Sequence, residues 1–237
     1  MRSSAAPRRA IVTGGGTGLG RACVQALLDD GYSVLSLGLD REAPIDHPAL
    51  ESRSFDVTDT AAIAALAREV DALDALVCAA GTILPERREF TDAGFAKVME
   101  VNVHGTQALC YALHPALAAR RGAVITFASM WSIFGSGRNP AYSASKGAVE
   151  SLTRALAVAW ATDGIRVNAV APGWVRTRMA VAAMTDPDRA GPILARIPQG
   201  RWGEPEEVGA VVRFLVSPAA SYVTGVVLPI DGGYSIA

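Results

Sequence analysis

The sequence has few of the residues that build disulfide frameworks and metal sites. Its 237 residues include three cysteines and three histidines, which are scattered without metal-ligand spacing. An odd number of cysteines at such positions does not indicate a disulfide scaffold. Cys78 lies in an apolar run and is expected to be a buried free thiol. We therefore predict no metal site and no disulfide framework.

Charge of one sign and long apolar runs are also missing. The chain has 22 basic and 23 acidic side chains and a net charge of −1, so no basic surface is expected for nucleic acid. Arg2 is not followed by the apolar stretch of a secretory signal, and the longest helical apolar run, Ala155–Ala161, is too short to cross a membrane. A cytoplasmic protein without membrane or nucleic-acid partners is expected.

Apolar residues, by contrast, make up 50% of the chain and charged residues 19%, which is enough apolar material for a large core. Strand-like and helix-like segments alternate throughout, without repeats or a linker. This alternation predicts right-handed crossovers and a Rossmann-type α/β fold, doubly wound, with a predominantly seven-stranded parallel sheet and helices on both faces. We expect one domain over residues 1–237.

The strands are predicted from short apolar runs that end at turn residues. They are Ala10–Thr13, Ser33–Leu37, Arg53–Val57, Asp74–Ala79, Ala123–Ala128, Ile165–Val170 and Val226–Ile230. The helices are predicted from apolar periodicity and capping residues. They are Gly18–Asp30, a helix capped by Thr58 or Asp59 that runs to Val70, Thr91–Met99, Val103–Arg120, Tyr142–Thr162 and Pro205–Val216.

A glycine-rich segment, Thr13–Gly20, connects the first strand to the first helix. Glycine permits positive φ and a close approach of the backbone to a ligand. A helix N-terminus offers unpaired N–H groups and partial positive charge to a phosphate. At the first turn of an α/β sheet, this combination indicates a dinucleotide site, although the spacing Gly-x-x-x-Gly-x-Gly differs from the common Gly-x-Gly-x-x-Gly.

Tyr142 and Lys146 lie one helical turn apart and project from one helix face. The pKa of a tyrosine phenol is about 10, which is too high for easy proton transfer at neutral pH. An ammonium group nearby lowers that pKa and eases the transfer. An isolated pair of this kind is more often solvated surface. Here it follows the fifth strand, at the edge where ligands bind, and so indicates catalysis. Ser129 lies just past the end of the same strand and offers a hydroxyl to a substrate oxygen, with Ser132 and Ser136 as alternatives.

In this order, the motifs resemble those of the short-chain dehydrogenase/reductase family. The resemblance covers nearly the whole chain. It is carried by Thr13–Gly20, by Cys78–Gly81 in place of Asn-Asn-Ala-Gly, by Asn102 in Val-Asn-Val, by Ser129, by Tyr142–Lys146, by Pro172–Gly173 with Thr177, and by Asp231–Gly233.

The resemblance implies an NAD(P)-dependent oxidoreductase that moves a hydride between the nicotinamide and the carbinol or carbonyl carbon of an alcohol or ketone. Tyr142 is the implied general acid/base, Ser129 orients the substrate oxygen, and Lys146 acidifies the phenol and binds the nicotinamide ribose. Asn102 is implied to hold a water in a proton relay. The implied cofactor-binding residues are Thr13, Gly14, Gly16, Thr17, Gly18, Leu19, Gly20, Gly38, Leu39, Asp56, Val57, Ala79, Ala80, Gly81, Tyr142, Lys146, Pro172, Gly173, Val175 and Thr177.

The sequence departs from the patterns typical of both NAD and NADP users. Family spacing places Gly38 against the adenosine ribose, and Gly38 carries no charge. Leu39 and Thr17, where NADP users often have a cation, are also neutral. Asp40 and Arg41 suit either nucleotide. We favour NAD because no cation is clearly placed for a 2′-phosphate.

The substrate is expected to bind beneath a mobile lid at about 174–203. Arg138, Arg178 and Arg196 are candidates to meet an anionic substrate, although solvated surface arginines are more common. The short link between the second and third strands is shared by some sugar, polyol and dihydrodiol dehydrogenases of the family, and it hints at a substrate of one of these classes. A 3-oxoacyl compound is an alternative substrate. The side chains expected at the pocket are Trp131, Ile133, Arg138 and Trp174.

Other interpretations were weighed against the dehydrogenase. A catalytically silent, NAD(P)-binding regulatory protein of the same fold is disfavoured by the intact Ser129, Tyr142 and Lys146. A nucleotide-sugar epimerase would need a longer C-terminal region, and a methyltransferase has no use for the Tyr/Lys pair. By resemblance, a homotetramer or homodimer is expected through the helices Val103–Arg120 and Tyr142–Thr162.

Overall fold

A computed structural model describes residues 7–237, so the expectation for Arg2 lies outside the described residues. Its strands form one sheet of seven, paired in parallel in the order β3-β2-β1-β4-β5-β6-β7. The strands are β1 (Arg9–Thr13), β2 (Ser33–Gly38), β3 (Leu50–Ser54), β4 (Ala75–Cys78), β5 (Ala123–Phe127), β6 (Arg166–Pro172) and β7 (Val227–Ile230). The predicted doubly wound α/β fold is confirmed.

The helices connect successive strands and cover both faces of the sheet. They are α1 (Gly18–Asp29), α2 (Thr60–Glu69), α3 (Asp92–Met99), α4 (Gly105–Arg120), α5 (Trp131–Phe134), α6 (Pro140–Ala159), α7 (Val181–Thr185), α8 (Pro187–Arg196) and α9 (Pro205–Val216). Asp59, one of the two expected caps, accepts hydrogen bonds from the first turn of α2. Pro140 begins α6 two residues earlier than predicted, because proline is suited to the first helical turn.

The core has two parts because neighbouring residues of each central strand face opposite sides of the sheet. Ile11 packs with side chains of α2, α4 and α6, whereas Val12 packs with those of α1 and α9. All five residues of β5 are buried. Such continuous apolar strands are typical of a parallel sheet that is covered on both faces.

The order of the strands determines where a ligand can bind. From β1 the chain proceeds outward to β2 and β3, and then returns to place β4 on the other side of β1. The connections after β1 and β4 therefore leave the sheet on opposite faces. This reversal opens a crevice at the carboxyl ends of the two strands.

Two structural absences concern the described part of the chain. Within residues 7–237, no helix has both the length and the apolar character required to cross a membrane. The same residues contain no group of three or more His, Cys, Asp or Glu side chains placed to hold a metal ion. Cys23, Cys78 and Cys110 are buried free thiols, as expected for Cys78.

Candidate active site

A cleft of about 370 Å³ opens at the carboxyl ends of the central strands. It brings together the glycine turn after β1, the turn after β4, the catalytic candidates and the segment after β6. The predicted site residues that line it are Gly14, Thr17, Gly18, Leu19, Gly20, Ala79, Ala80, Gly81, Ser129, Tyr142, Lys146, Pro172, Gly173 and Thr177.

Other predicted cofactor residues lie behind or beside this lining. Thr13 is buried, and its hydroxyl accepts a hydrogen bond from the Ala80 amide at 3.2 Å. The Asp56 carboxylate accepts hydrogen bonds from the amide and hydroxyl of Thr58, which lower the pKa of Asp56. The remaining predicted residues outside the lining are Gly16, Gly38, Leu39, Asn102, Val57 and Val175.

The glycine turn has the backbone geometry that a dinucleotide requires. Gly14 has a φ of +66°, and a Cβ there would lie 2.8 Å from the amide nitrogen of Ala80. Gly18 begins α1 with a φ of +48°, and the preceding Thr17 makes no side-chain cap. The absence of side chains at these glycines leaves room for a pyrophosphate near the N-terminus of α1, where the helix dipole favours an anion. These residues fit a nicotinamide dinucleotide.

An acidic loop that follows β2 lies against this turn. The Gly18 amide donates to the Glu42 carboxylate at 3.2 Å, so an anion already stands at the N-terminus of α1. The Glu42 amide donates to the Gly16 carbonyl at 2.9 Å. Asp40 lines the cleft and forms an exposed ion pair with Arg178 at 3.2 Å. The loop therefore places two carboxylates at the cofactor end of the cleft.

Tyr142 is held by a buried acid that the sequence did not reveal. It lies in the first turn of α6, whose N-cap residue, Asn139, makes no side-chain cap. The Glu89 carboxylate supplies the missing acceptor, since it accepts from the Tyr142 amide at 2.9 Å, the Leu84 amide at 2.9 Å and the Asn139 amide group at 3.1 Å. Glu89 is 1% exposed. It lies in a short 3-10 turn, Arg88–Phe90, where the sequence has no motif or periodicity to identify it.

Lys146 and Tyr142 adjoin as predicted, but their titration differs from the expectation. The Lys146 Nζ is buried 5.4 Å from the centroid of the Tyr142 ring and donates to the Phe127 carbonyl at 2.7 Å. Burial lowers the pKa of Lys146 to about 8. Burial raises the pKa of Tyr142 to about 12, against a lowering by the Ser129 hydroxyl. The expected acidification of the phenol by Lys146 is thus corrected: in this structure desolvation dominates.

Ser129 is the serine that faces the cleft. Its hydroxyl accepts from the Trp131 amide at 3.2 Å. The Ser132 hydroxyl is occupied by the Ser129 carbonyl and the Glu150 carboxylate, and that of Ser136 accepts from the Arg138 amide at 3.3 Å. Neither alternative lines the cleft. Ser129 is therefore the hydroxyl available to a substrate oxygen.

Asn102 lies in a π-helical turn, Glu100–His104, that joins α3 to α4. Its side chain accepts from the Thr82 amide at 2.7 Å and donates to the Thr82 carbonyl and the Ser145 hydroxyl, both at 3.0 Å. A Cβ at Gly81 would lie 3.4 Å from the Asn102 Oδ1 and 3.6 Å from the Lys146 Nζ. Asn102 and Lys146 therefore both approach the turn after β4. Such π-turns often occur at functional sites.

A wall of tryptophans borders the site beside Tyr142. The Trp131 ring lies edge-on to Tyr142 and to Trp174, with both centroid distances 5.7 Å. Trp174 in turn lies 6.2 Å from Trp202. Among the side chains of the described residues, the Trp174 Nε1 is the one buried polar atom without a hydrogen-bond partner. Ile133, also expected at the pocket, is 53% exposed and lies outside the cleft lining.

Comparisons with known proteins point to one group of enzymes. A family profile described as enoyl-(acyl carrier protein) reductase matches residues 14–235. The galactitol 2-dehydrogenase (L-tagatose-forming) of Cereibacter sphaeroides is 41% identical over 240 residues, 96% of this chain and 94% of that protein. The cis-4-hydroxycyclohexanecarboxylate dehydrogenase of Sinomonas cyclohexanicum is 40% identical over 251 residues, 99% of each. The Pseudomonas aeruginosa RhlG/NADP active-site complex has a TM-score of 0.88 and 34% identity, covering 97% of this chain and 96% of that one.

Proposed function

This chain belongs to the short-chain dehydrogenase/reductase family, and on that premise we propose how it acts as an NAD(P)-dependent oxidoreductase on CH–OH groups. The proposed substrate carries a secondary alcohol on a polyol, a sugar-derived chain or an alicyclic ring. The two similar dehydrogenases, named for galactitol and for cis-4-hydroxycyclohexanecarboxylate, support this class. The observation that carries the proposal is the meeting of Ser129, Tyr142 and Lys146 in one cleft with the glycine turn.

In the proposed mechanism, the bound nicotinamide supplies the hydride acceptor or donor. Because the pKa of Tyr142 is raised to about 12, its phenol is protonated at neutral pH and can donate to a carbonyl oxygen when a ketone is reduced. When an alcohol is oxidised the same transfer runs in reverse, and the Tyr142 oxygen takes the hydroxyl proton after passing its own towards Lys146. Ser129 donates a hydrogen bond to the same oxygen and stabilises the charge that develops on it. Lys146 holds an ammonium beside the phenol and, through the polar groups around Asn102, replaces its proton. The Trp131 ring excludes water from the phenol.

The proposed cofactor preference is NAD over NADP. Asp40 and Glu42 both stand at the cofactor end of the cleft, and carboxylates there bind ribose hydroxyls and repel a 2′-phosphate. We expect NADH to bind about tenfold more tightly than NADPH in a fluorescence titration. The double variant Asp40→Asn, Glu42→Gln should narrow that ratio. Tighter binding of NADPH to the wild-type protein would refute the preference.

The proposed lid is the segment 174–203, and residues 1–237 are proposed to form one domain. Two backbone hydrogen bonds, both 2.9 Å long, join the two ends of the lid. The Gly203 amide donates to the Trp174 carbonyl, and the Arg176 amide donates to the Gly203 carbonyl. Between these anchors, Met179 and Ala180 line the cleft just before α7, and Met179 is half-exposed. A segment that is tied at its base and borders the cleft suits opening and closure around a substrate.

We further propose that the protein is a cytoplasmic homotetramer or homodimer. Tyr111 on α4 is 54% exposed and Val158 on α6 is 81% exposed, which leaves apolar surface on the two helices expected to associate. Sedimentation of the purified protein tests the assembly, and a monomer at micromolar concentration would refute it. Fractionation of the source cells tests the location.

The test of the proposed function follows NAD(P)H absorbance with galactitol, hydroxylated cyclohexanes, aliphatic ketones and 3-oxoacyl esters, using both cofactors. Turnover of secondary alcohols by the wild-type protein and its loss in Tyr142→Phe are expected. Cofactor binding without turnover of any substrate would instead support the silent regulatory protein. Preferred turnover of 3-oxoacyl esters would replace the proposed substrate class.

A further inference from the structure

A second cavity, of about 510 Å³, adjoins the active-site cleft. Four side chains line both: Ile83, Trp131, Trp174 and Met179. The Trp131 ring contacts the Tyr142 ring edge-on at 5.7 Å, so the two spaces meet along Trp131, beside the reacting phenol. A substrate whose alcohol meets Tyr142 can extend its carbon skeleton along Trp131 into the second cavity.

The second cavity carries an excess of positive charge. Arg87, Arg138 and Arg189, here called the arginine cluster, line it together with one acidic residue, Glu86. Across residues 7–237, no salt bridge involves any of the three arginines, whereas three other arginines of the proposed lid, Arg176, Arg178 and Arg201, are paired with carboxylates.

The carboxylates nearest to the arginine cluster along the chain are engaged elsewhere. Asp186 caps α8 by accepting from the Asp188 amide at 3.0 Å, and neither residue lines the cavity. The Glu89 carboxylate accepts hydrogen bonds from the Leu84 amide and the Asn139 side chain, and Glu89 does not line the cavity. Glu86 is thus the one carboxylate that faces the cluster among the described residues, which leaves the cavity with more guanidinium than carboxylate groups.

The loop that carries Arg87 is held in an unusual conformation. Glu86 and Arg87 have φ angles of +56° and +59°, which side chains other than glycine rarely adopt. The Arg87 guanidinium lies 4.3 Å from the centroid of the Phe90 ring, and this cation–π contact orients it. Arg189 is half-buried in α8 and lies in the proposed lid. Closure of the lid would therefore carry one arginine over the bound ligand.

We propose that the arginine cluster binds a carboxylate at the end of the substrate remote from the reacting alcohol, so that the enzyme acts on hydroxy acids and oxo acids. This inference rests on the proposed function and names its substrate class more closely. A guanidinium group binds a carboxylate through paired hydrogen bonds. Apolar neighbours such as Leu84, Pro85 and Ala182 suit a singly charged group on a carbon skeleton better than a phosphate.

A binding experiment tests the inference independently of turnover. The tryptophan fluorescence of the protein is titrated with cyclohexanecarboxylate and with its neutral amide, which has nearly the same shape. The carboxylate should bind at least about tenfold more tightly, as expected for charge-assisted hydrogen bonds. Equal binding of the two probes, or tighter binding of cyclohexyl phosphate, would overturn the proposal.

Substitutions locate the effect. Arg138→Gln and Arg189→Gln should each weaken carboxylate binding about fivefold and leave amide binding unchanged. Arg189→Lys should restore part of the loss. The control is Arg120→Gln, an exposed arginine at the opposite end of the sheet, which should change neither probe. Equal losses for the acid and the amide would mean a merely structural role and contradict the inference.

Kinetics then separate this inference from the proposed function. Turnover is compared for galactonate against galactitol and for 3-hydroxycyclohexanecarboxylate against its amide. A preference for the acids, expressed mainly in KM and reduced by Arg138→Gln, is expected. Turnover of the neutral alcohols with no preference for the acids would sink the inference and leave the proposed function intact. Absence of turnover with all four would sink the proposed function.

Discussion

The two ends of the active-site cleft are built differently. Where β1 and β4 end, the wall is mostly main chain, because Gly14 and Gly18 leave the backbone bare beside the turn at Ala79–Gly81. Where β5 and β6 end, the wall is side chains, among them Tyr142, Trp131 and Trp174. A bare backbone can serve any dinucleotide, whereas projecting side chains select one substrate. The cofactor end therefore presents mainly backbone to its ligand, and the substrate end mainly side chains.

The sharpest way to separate the two ends is Tyr142→Phe. It should lower kcat about 10³-fold, because the proton donor is lost while the ring remains. The dissociation constant of NADH should change less than about threefold, since the glycine turn is untouched. Stopped-flow absorbance and a fluorescence titration measure the two quantities.

The outcome is compared with Tyr111→Phe, an exposed tyrosine on α4 that should leave both quantities at the wild-type level. A Tyr142→Phe enzyme that retained most of its turnover would show that the proton comes from another group.

The reciprocal change at the cofactor end is Gly14→Ala. The positive φ and the 2.8 Å approach to the Ala80 amide should lower the free energy of unfolding by about 3 kcal/mol. The dissociation constant of NADH should also rise, and urea unfolding measures the stability.

The matched control is Gly147→Ala, in the interior of α6, where a Cβ would meet nothing within 4 Å. The free energy of unfolding of that variant should be about 0.5 kcal/mol higher than that of the wild type. Equal stability of the two alanine variants would contradict the argument that the backbone at Gly14 is closely packed.

Glu89→Ala tests whether the substrate end depends on its buried carboxylate. The change leaves the Tyr142 and Leu84 amides without an acceptor, and should lower the free energy of unfolding by about 2 kcal/mol. Thermal unfolding measures this.

The control, Glu206→Ala, removes an exposed acid from the first turn of α9. It should lower the free energy of unfolding by less than about 0.5 kcal/mol. If turnover in Glu89→Ala fell with no loss of stability, the carboxylate would have a role beyond holding the helix.

The smallest expected effect concerns Lys146 and pH. Burial lowers its pKa from 10.5 to about 8, so above pH 8 the unfolded chain holds a proton that the folded chain has released. The free energy of unfolding should therefore rise with pH in this window, by up to about 1 kcal/mol between pH 8 and 9. Lys146→Met removes this dependence.

This increase in stability is expected only up to about pH 9. Burial raises the pKa of Cys23 from 9.0 to about 12, so above pH 9 the Cys23 thiol makes the free energy of unfolding fall with pH. The difference between wild type and Lys146→Met cancels that contribution, and denaturant unfolding at each pH measures it. A difference that stayed constant from pH 7 to 9 would contradict the lowered pKa.

The same contrast explains what could be predicted from the sequence. The glycine turn and the spacing of Tyr142 and Lys146 are local, so the residues alone indicate their geometry. The boundaries of β3 were shifted, since the prediction followed the apolar residues of Arg53–Val57, whereas parallel pairing with β2 sets Leu50 opposite Val34. Pairing between distant segments is not encoded in either segment by itself.

The parts that escaped prediction come from loops that meet only in three dimensions. Glu89 becomes a cap for α6 because the fold brings its 3-10 turn to the start of that helix, and nothing in its neighbours marks it. The sequence predicts a break between the helices Thr91–Met99 and Val103–Arg120, but not that the break is a π-turn at Asn102. The arginine cluster draws on segments that are far apart in the chain. The sequence therefore predicts local chemistry better than it predicts the shape of the substrate pocket.

The strand order has a consequence for synthesis on the ribosome. β1 is made before the other strands, yet it belongs in the middle of the sheet and pairs with β4, which emerges after β2, β3 and α2. Until then one apolar edge of the nascent chain lacks its neighbour, a state prone to aggregation. A chaperone that shields this edge early should increase the yield of active protein more than one supplied after release.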